Sequence, residues 1–303
     1  MNLKIAAKSA CSRRQLEDRI SKAFTSVEII TFEEQFKEKL DKYEGLLNKY
    51  SNVLDYVSIH APSGLTISHA TNENHRRIAL TCLEKLIVLA SRIGCKRVVF
   101  HGFHPVKKLD SIQEIISLRG KALQNCIRGI ESLDKLCSER GVTLCLENIN
   151  ACVRLDRLYY LVFSASPFDL LDVVEKVNSE AFRLCFDVAH AYHTCNFVYE
   201  NPEMSEIFRF SELSIETFYK IVAKHVDIIH LTNAKGAVGA KSTEHLLPEE
   251  GEINFRQMMK TILENNFSGP IVLEMDELDM NNALNMAKSR DYLLKLLADL
   301  SSQ

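Results

Sequence analysis

Six short apolar runs in this sequence each end on a side chain that can donate an electron pair to a metal ion. They are YVSIH, ending at His60, RVVFH at His101, TLCLE at Glu147, RLCFD at Asp187, DIIH at His230 and PIVLE at Glu274. Carboxylate oxygens and neutral imidazole nitrogens suit Zn²⁺ or Mn²⁺, whereas Ca²⁺ and Mg²⁺ sites hold oxygen ligands almost alone. Glu147, Asp187, His230 and Glu274 make a four-ligand set for one ion. His60 and His101 could hold a second ion that shares Glu147 as a bridge, and paired ions of this kind clamp the attacking and leaving oxygens in phosphoryl chemistry. Two more histidines follow. His190 lies three residues beyond Asp187 in DVAH, and His245 lies in STEHLLPEEGEINF, after a loop containing Lys235, Gly236, Gly239 and Lys241. The two lysines are candidate phosphate or substrate contacts.

Taken singly, each of these residues has an ordinary structural role open to it. A strand-end His is often a hydrogen-bonded structural group, and Glu147 or Asp187 alone could cap a helix or close a salt bridge. His69, His75, His104, His193 and His225 read as solvent-facing or structural. The force of the pattern is collective, and it depends on elements that bring together positions spread from residue 60 to residue 274.

Those elements are legible. Strand-length apolar runs occur at LKIAAK (3–8), SVEIIT (26–31), YVSIH (56–60), RVVFH (97–101), TLCLE (143–147), RLCFD (183–187), DIIH (227–230) and PIVLE (270–274). Each is continuous rather than alternating, as expected of strands covered on both faces of a parallel sheet. Between them lie amphipathic stretches. HRRIALTCLEKLIVLASRIG places Ile78, Leu80, Cys82, Leu83, Leu86, Ile87, Leu89 and Ala90 at helical spacing and stops at Gly94. GKALQNCIRGIESLDKLCSERG ends at Gly141, and FDLLDVVEKV, SIETFYKIVAKHV, FRQMMKTILENN and NALNMAKSRDYLLKLLADL complete the set. Strands alternating with helices imply βαβ units. Eight such units predict an α/β fold, one (β/α)8 TIM barrel with an eight-stranded parallel sheet, forming a single domain over residues 1–303. An open doubly wound sheet is the competing arrangement. In a barrel all C-terminal strand ends lie on one face, which would gather the six side chains.

Composition sets the outer bounds. The 303 residues are 46% hydrophobic and 25% charged, with 11 Gly and 6 Pro, which is ample for a large core and unlike a disordered chain. A net charge of −3 gives no chain-wide basic footprint for nucleic acid. The nine cysteines form no CxxC pair, and Cys126, Cys137, Cys145 and Cys185 lie in apolar or helical patterns, as buried free thiols of a reducing compartment do. There is no signal-like h-region and no apolar run of about 18 residues. A soluble, cytoplasmic protein with no membrane partner is expected. Barrel helices often leave apolar positions exposed, which is compatible with a homo-oligomer, but the sequence selects no oligomeric state.

With the strand ends in hand, the chain resembles the xylose-isomerase-like barrel superfamily, which includes sugar-phosphate isomerases and epimerases, inosose dehydratases and endonuclease IV. The pieces are VSIHAP, VVFHGF, LCLENIN, CFDVAHAY, IIHLTNAK, EHLLPEEGEINF and IVLEMDE, running from about residue 53 to 277. Their order and spacing are specific to the superfamily and much less so to one activity. The resemblance implies that Glu147, Asp187, His230 and Glu274 bind a shared catalytic metal. In the isomerase branch Glu147 and Glu274 are also the proton-transfer pair and His190 contacts substrate. Apart from the resemblance, His60, His101 and Lys235 are candidate substrate contacts of this chain. In the endonuclease branch His60 and His101 join Glu147 around one zinc, while His190 and His245 help to hold a third. That third ion normally takes an Asp two residues before the second His, where this chain has Thr243. Asn233 likewise replaces the Asp common three residues after the strand-seven His. The wording EHLLPEEGEINF is closer to the isomerase branch.

The leading expectation is therefore a divalent-metal-dependent isomerase or epimerase, using Zn²⁺ or Mn²⁺ and one ion or more. Its substrate would be a small sugar, a sugar phosphate or a related polyhydroxy carbonyl compound. Glu147 or Glu274 would remove the proton alpha to the carbonyl and the other would return one, through an enediolate. The first alternative is endonuclease-IV-like, zinc-dependent cleavage of a phosphodiester at abasic DNA. That activity calls for basic and aromatic loops around the site. The loop after His60, APSGLTISHATNEN, has no aromatic residue, and no Arg or Lys precedes Arg76. The second alternative is a non-catalytic or partner-subunit barrel with a degenerate metal site, marked by Thr243 and Asn233.

Overall fold

A computed structural model describes residues 3–33, 41–102, 105–107, 112–154, 159–161, 163–236 and 244–302. Its strands are β1 (Ile5–Ala10), β2 (Ser26–Ile30), β3 (Asp55–His60), β4 (Arg97–His101), β5 (Pro105–Lys107), β6 (Thr143–Glu147), β7 (Cys152–Arg154), β8 (Tyr159–Leu161), β9 (Phe182–Asp187), β10 (Val226–Leu231) and β11 (Ile271–Leu273). Eight of them close into a parallel barrel in the order β1-β2-β3-β4-β6-β9-β10-β11, with β11 paired back onto β1. The expected (β/α)8 TIM barrel is thus the fold. The remaining three, β5, β7 and β8, follow the ends of β4 and β6 and pair as a separate antiparallel sheet.

The helices between them are α1 (Arg13–Ser21), α2 (Asp41–Asn48), α3 (Glu73–Arg92), α4 (Ile112–Arg140), α5 (Pro167–Val177), α6 (Val188–Glu200), α7 (Ser205–Phe208), α8 (Ile215–Val222), α9 (Phe255–Glu264) and α10 (Leu284–Ser301). Six coincide with the amphipathic stretches above, while α1, α2, α6 and α7 are additions to that reading. Asn72 caps α3 by accepting from the backbone N–H of His75 at 3.0 Å. Gly94 and Gly141 lie just beyond α3 and α4 at φ of 74° and 63°, a left-handed conformation that costs glycine little.

The strands read as apolar throughout because both of their faces are covered. Outward residues such as Val98, Phe100, Leu144, Leu146, Leu184, Phe186, Ile229 and Leu231 pack under the helices in the main core. Full burial of a side chain of this size contributes about 1.5–3 kcal/mol. Inward residues form a separate cluster across the barrel axis: Ala6, Val57, Val99, Cys145, Cys185, Ile228 and Val272. Side chains on one face of a strand recur every second residue. Two positions beyond Ala6, Val99, Cys145, Cys185, Ile228 and Val272 come Lys8, His101, Glu147, Asp187, His230 and Glu274. An apolar floor is therefore followed by a polar layer at the C-terminal mouth.

Cys11, Cys82, Cys95, Cys126, Cys137, Cys145, Cys185 and Cys195 are free and buried. His193 is fully buried, and His69 and His75 are half-buried with ring centroids 5.0 Å apart. His104 lies outside the described residues. Among the described residues no helix is long and apolar enough to cross a membrane.

Candidate metal centre

Register sets the side chains of the mouth beside one another. Lys8 pairs with Glu28, Glu28 with Ser58, His101 with Glu147, and Asp187 with His230. Glu147 stands at the centre of the group, 1% exposed. Its Oε2 lies 3.0 Å from His60 Nε2 and 3.1 Å from His101 Nε2. Its Oε1 lies 3.3 Å from His230 Nδ1 and 3.4 Å from His190 Nδ1. His230 Nδ1 is also 3.6 Å from Glu274 Oε1, and Lys8 Nζ is 3.6 Å from Glu274 Oε2.

Asp187 and His190 owe their positions to one junction, where α6 starts on the residue after β9 ends. Asp187 is the N-cap, its Oδ1 accepting from the backbone N–H of His190 at 2.6 Å. This places His190 one turn into the helix and leaves Asp187 Oδ2 buried with no hydrogen-bond partner among the described residues. Asn148 locks the same junction to the end of β6. Its Nδ2 donates to the Asp187 carbonyl at 2.8 Å and its Oδ1 accepts from the Asp187 N–H at 2.7 Å.

Charge in this pocket is strongly coupled. Burial pushes the Glu147 carboxyl up, but His230 and His101 outweigh it and hold the group well below the usual carboxylate range. Glu274 is likewise raised by burial and lowered further by Lys8 and His230, with a net downward shift. Asp187 goes the other way, pushed up to about 6, chiefly by burial. Burial lowers the histidines, yet Glu147 raises His60 on balance, and Asp187 with Glu147 raises His190 to about 9. His230 is carried well above its ordinary value by Cys185, Glu28, Glu147 and Glu274 against the same opposing burial. His101 is shifted down, burial prevailing over Glu147.

The donors fit a divalent cation on three counts. Four carboxylates that are at least nine-tenths buried, Glu28, Glu147, Asp187 and Glu274, converge with Lys8 as the adjacent lysine cation. Buried carboxylates left without compensating charge are costly. Secondly, His60 Nδ1 faces the Ala61 carbonyl at 2.7 Å. A carbonyl only accepts, so Nδ1 carries a proton, and whenever the ring is neutral its Nε2 lone pair is turned on Glu147 Oε2. Two acceptors 3.0 Å apart require a proton or a cation to reconcile them. His190 and His245 are oriented in the same manner, through Nδ1, by the carbonyls of Asn148 at 2.9 Å and Glu274 at 2.6 Å. Thirdly, potential ligand atoms cluster within 4.8 Å of one another in three sets: His60–Glu147–His230, Glu28–His230–Glu274 and Glu147–Asp187–His190.

The structure therefore brings His60, His101, Glu147, Asp187, His190, His230 and Glu274 into one pocket. The expected four-residue set is spread over three overlapping triads, joined by Glu147 and His230. His245 sits at the rim and touches the backbone of Glu274, and among the described residues it completes no triad. Lys235 is exposed near Glu252. Lys241 and Thr243 lie outside the described residues. Three residues of the pocket escaped the sequence reading. Lys8 ended the first predicted strand but is neither carboxylate nor imidazole. Glu28 lies mid-strand rather than at a strand end, and its signal is a charge inside an apolar run. Glu244 follows Thr243; it is held below the usual carboxylate range by His190 and His245 against burial, and it accepts from Asn150 Nδ2 at 3.0 Å.

Comparison with known proteins agrees with this architecture. The probable endonuclease 4 of Mycoplasmopsis agalactiae is 22% identical over 78% of this chain and 76% of its own. A solved D-tagatose 3-epimerase-like protein superposes with a TM-score of 0.71 at 19% identity, covering 99% of each chain. The IOLI protein with a bound zinc atom superposes with a TM-score of 0.68 at 16% identity, over 99% of this chain and 98% of that one. The family description that matches residues 18–296 is the xylose isomerase-like TIM barrel, and this chain belongs to that family.

Proposed function

We propose that the protein is a divalent-metal-dependent isomerase or epimerase of a small sugar, a sugar phosphate or a related polyhydroxy carbonyl compound. The observation that carries this reading is the convergence of Glu147 and Glu274 on one nitrogen, His230 Nδ1, at 3.3 and 3.6 Å. Both carboxyls are shifted toward the ionised form. They stand on β6 and just past β11, three strand positions apart around the barrel, so they reach the common centre from different directions. Glu147, Asp187, His230 and Glu274 would hold the ion, whose contribution when bound is to polarise vicinal substrate oxygens and acidify the hydrogen alpha to the carbonyl. One carboxylate takes that proton, and the electron pair of the broken C–H bond moves into the enediolate. The enediolate carbon must then be reprotonated: the other carboxylate, once it has taken up a proton from a substrate hydroxyl or water, delivers it to the opposite face for epimerisation, or the first carboxyl gives its proton back at the neighbouring carbon for isomerisation. Lys8 keeps Glu274 anionic between turnovers, and His190 and His101 line the approach.

A second reading is favoured by a specific contact. His60 and His101 both address Glu147 Oε2 while His230 addresses Oε1, the pattern of a carboxylate shared between two ions. That arrangement suits phosphodiester cleavage, which the name of the relative from Mycoplasmopsis agalactiae also suggests. One set of assays separates the two. Protein reconstituted with Mn²⁺, Co²⁺ or Zn²⁺ is incubated with ketoses and sugar phosphates in D₂O, and in parallel with an oligonucleotide containing an abasic site. We expect deuterium at the carbon alpha to the carbonyl, reduced about 10²- to 10⁴-fold in Glu147→Gln and in Glu274→Gln. Nicking of the oligonucleotide with no solvent exchange would replace the first reading by the second.

A further inference from the structure

We infer that Glu28 is a positioning residue that fixes the ring and tautomer of His230, so that Nδ1 rather than Nε2 is offered to the ion. The inference rests on the metal-centre reading above and not on which substrate is turned over. Glu28 lies on β2, across the barrel from β10, and neither it nor His230 has any exposed surface. Its Oε2 accepts from Ser58 Oγ at 2.6 Å and faces His230 Nε2 at 3.2 Å. Ser58 is its register partner on β3, so the sheet itself aims the carboxylate.

An oxygen already serving Ser58 as an acceptor is an acceptor for Nε2 as well. The proton of a neutral His230 is thereby placed on Nε2, and the lone pair falls on Nδ1. Nδ1 is the atom between Glu147 Oε1 and Glu274 Oε1, and it has no hydrogen-bond partner among the described residues. The opposite tautomer would set a lone pair against the Glu28 oxygen and an N–H against the position of the ion. A carboxylate behind a ligating imidazole in this way orients the ring and raises its basicity.

The test uses zinc alone. The ¹⁵N shifts of His230 in the full-length protein, with and without Zn²⁺, report which nitrogen carries hydrogen and which binds metal. We expect Nε2–H in both states and metal on Nδ1. Competition with a chromophoric chelator should show Zn²⁺ affinity about 10- to 100-fold weaker in Glu28→Gln, an isosteric change, with Ser58→Ala weakened less. Zinc bound through Nε2 would make Glu28 a direct ligand beside Glu274 and overturn the inference. So would a Glu28→Gln variant whose affinity stays within about twofold of wild type. Wild-type protein that takes up no zinc overturns the metal centre itself, while loss of the isomerase reading alone leaves these outcomes unchanged.

Discussion

Asn233 shows how a residue that departs from a family pattern can have a positive reason for being there. Its side chain is fully buried beyond β10 and all of its hydrogen-bonding capacity is used. Nδ2 donates to the carbonyls of Pro248 at 2.7 Å and Ile253 at 3.2 Å. Oδ1 accepts from the N–H groups of Ala234 at 2.8 Å and Ile253 at 2.9 Å. Gly251 is packed so closely against this amide that a Cβ there would meet Oδ1 at 2.2 Å. The residue ties the 246–253 segment to the strand, and only an amide can both give and accept in this setting. Asn233→Asp would remove two donors and press a buried carboxylate on two carbonyls, so a loss of about 2–4 kcal/mol is expected. Urea denaturation checks it: the midpoint should fall at unchanged slope. Asn233 read as the mark of a decayed site therefore has a structural explanation that does not touch the metal ligands, whereas Thr243 lies outside the described residues.

At the scale of elements, eight apolar runs were sufficient to find eight barrel strands because burial on both faces writes itself directly into composition. Their ends were less legible. The first strand runs to Ala10 rather than Lys8, and β11 stops at Leu273, leaving Glu274 just beyond it. A reading of His, Asp and Glu at strand ends therefore reached six side chains of the pocket, and the DVAH spacing added His190, but Lys8, Glu28 and Glu244 were passed over. The sheet of β5, β7 and β8 left no trace, since three-residue strands carry no periodicity and owe their existence to loops meeting in space. α6 was obscure for another reason: VAHAYHTCNFVYE is buried around most of its circumference and has no polar stripe. Contacts between chain ends were equally out of reach. Ala283, the N-cap of α10, has no side-chain acceptor of its own. Asp18 of α1 supplies one by accepting from the Ala283 N–H at 2.9 Å, while also pairing with Lys22 and with Arg19 at 3.0 Å. Burial raises the Asp18 carboxyl, but these partners outweigh it and the net shift is downward from 3.8. A depressed carboxyl stabilises the fold above its unfolded value, and that stability is lost as pH falls through the folded value. Asp18→Asn should therefore cost about 1–2 kcal/mol at pH 7, and the difference should shrink below about pH 4. Urea midpoints at pH 7 and near pH 3.5 would show it, and a pH-independent gap would contradict it.

For the molecule as a whole, barrel closure draws four buried carboxylates toward one axis, and the way they are neutralised should govern stability. In the metal-free protein the compensation falls to imidazolium groups, with His190 raised to about 9 and His60 and His230 also shifted up. A histidine raised above its unfolded value of 6.5 stabilises fully below that value, and its contribution disappears as pH climbs through the folded value. A bound dication replaces those protons and does not titrate away over the same range, although protons compete with it at the acid end. The metal-free form should thus lose stability between pH 6 and 9 while the metal-loaded form loses less. At a free ion concentration about 100 times Kd the stabilisation is roughly 2.7 kcal/mol, which for a chain of this size corresponds to a Tm rise of about 5 °C. Thermal unfolding with Zn²⁺ or Mn²⁺, and after exhaustive chelation, should show a gap that widens from pH 6 to pH 9. A gap that stays constant across that range would mean that the histidines are neutral in the metal-free barrel, and the carboxylates would then need some other counter-charge than the one their geometry provides.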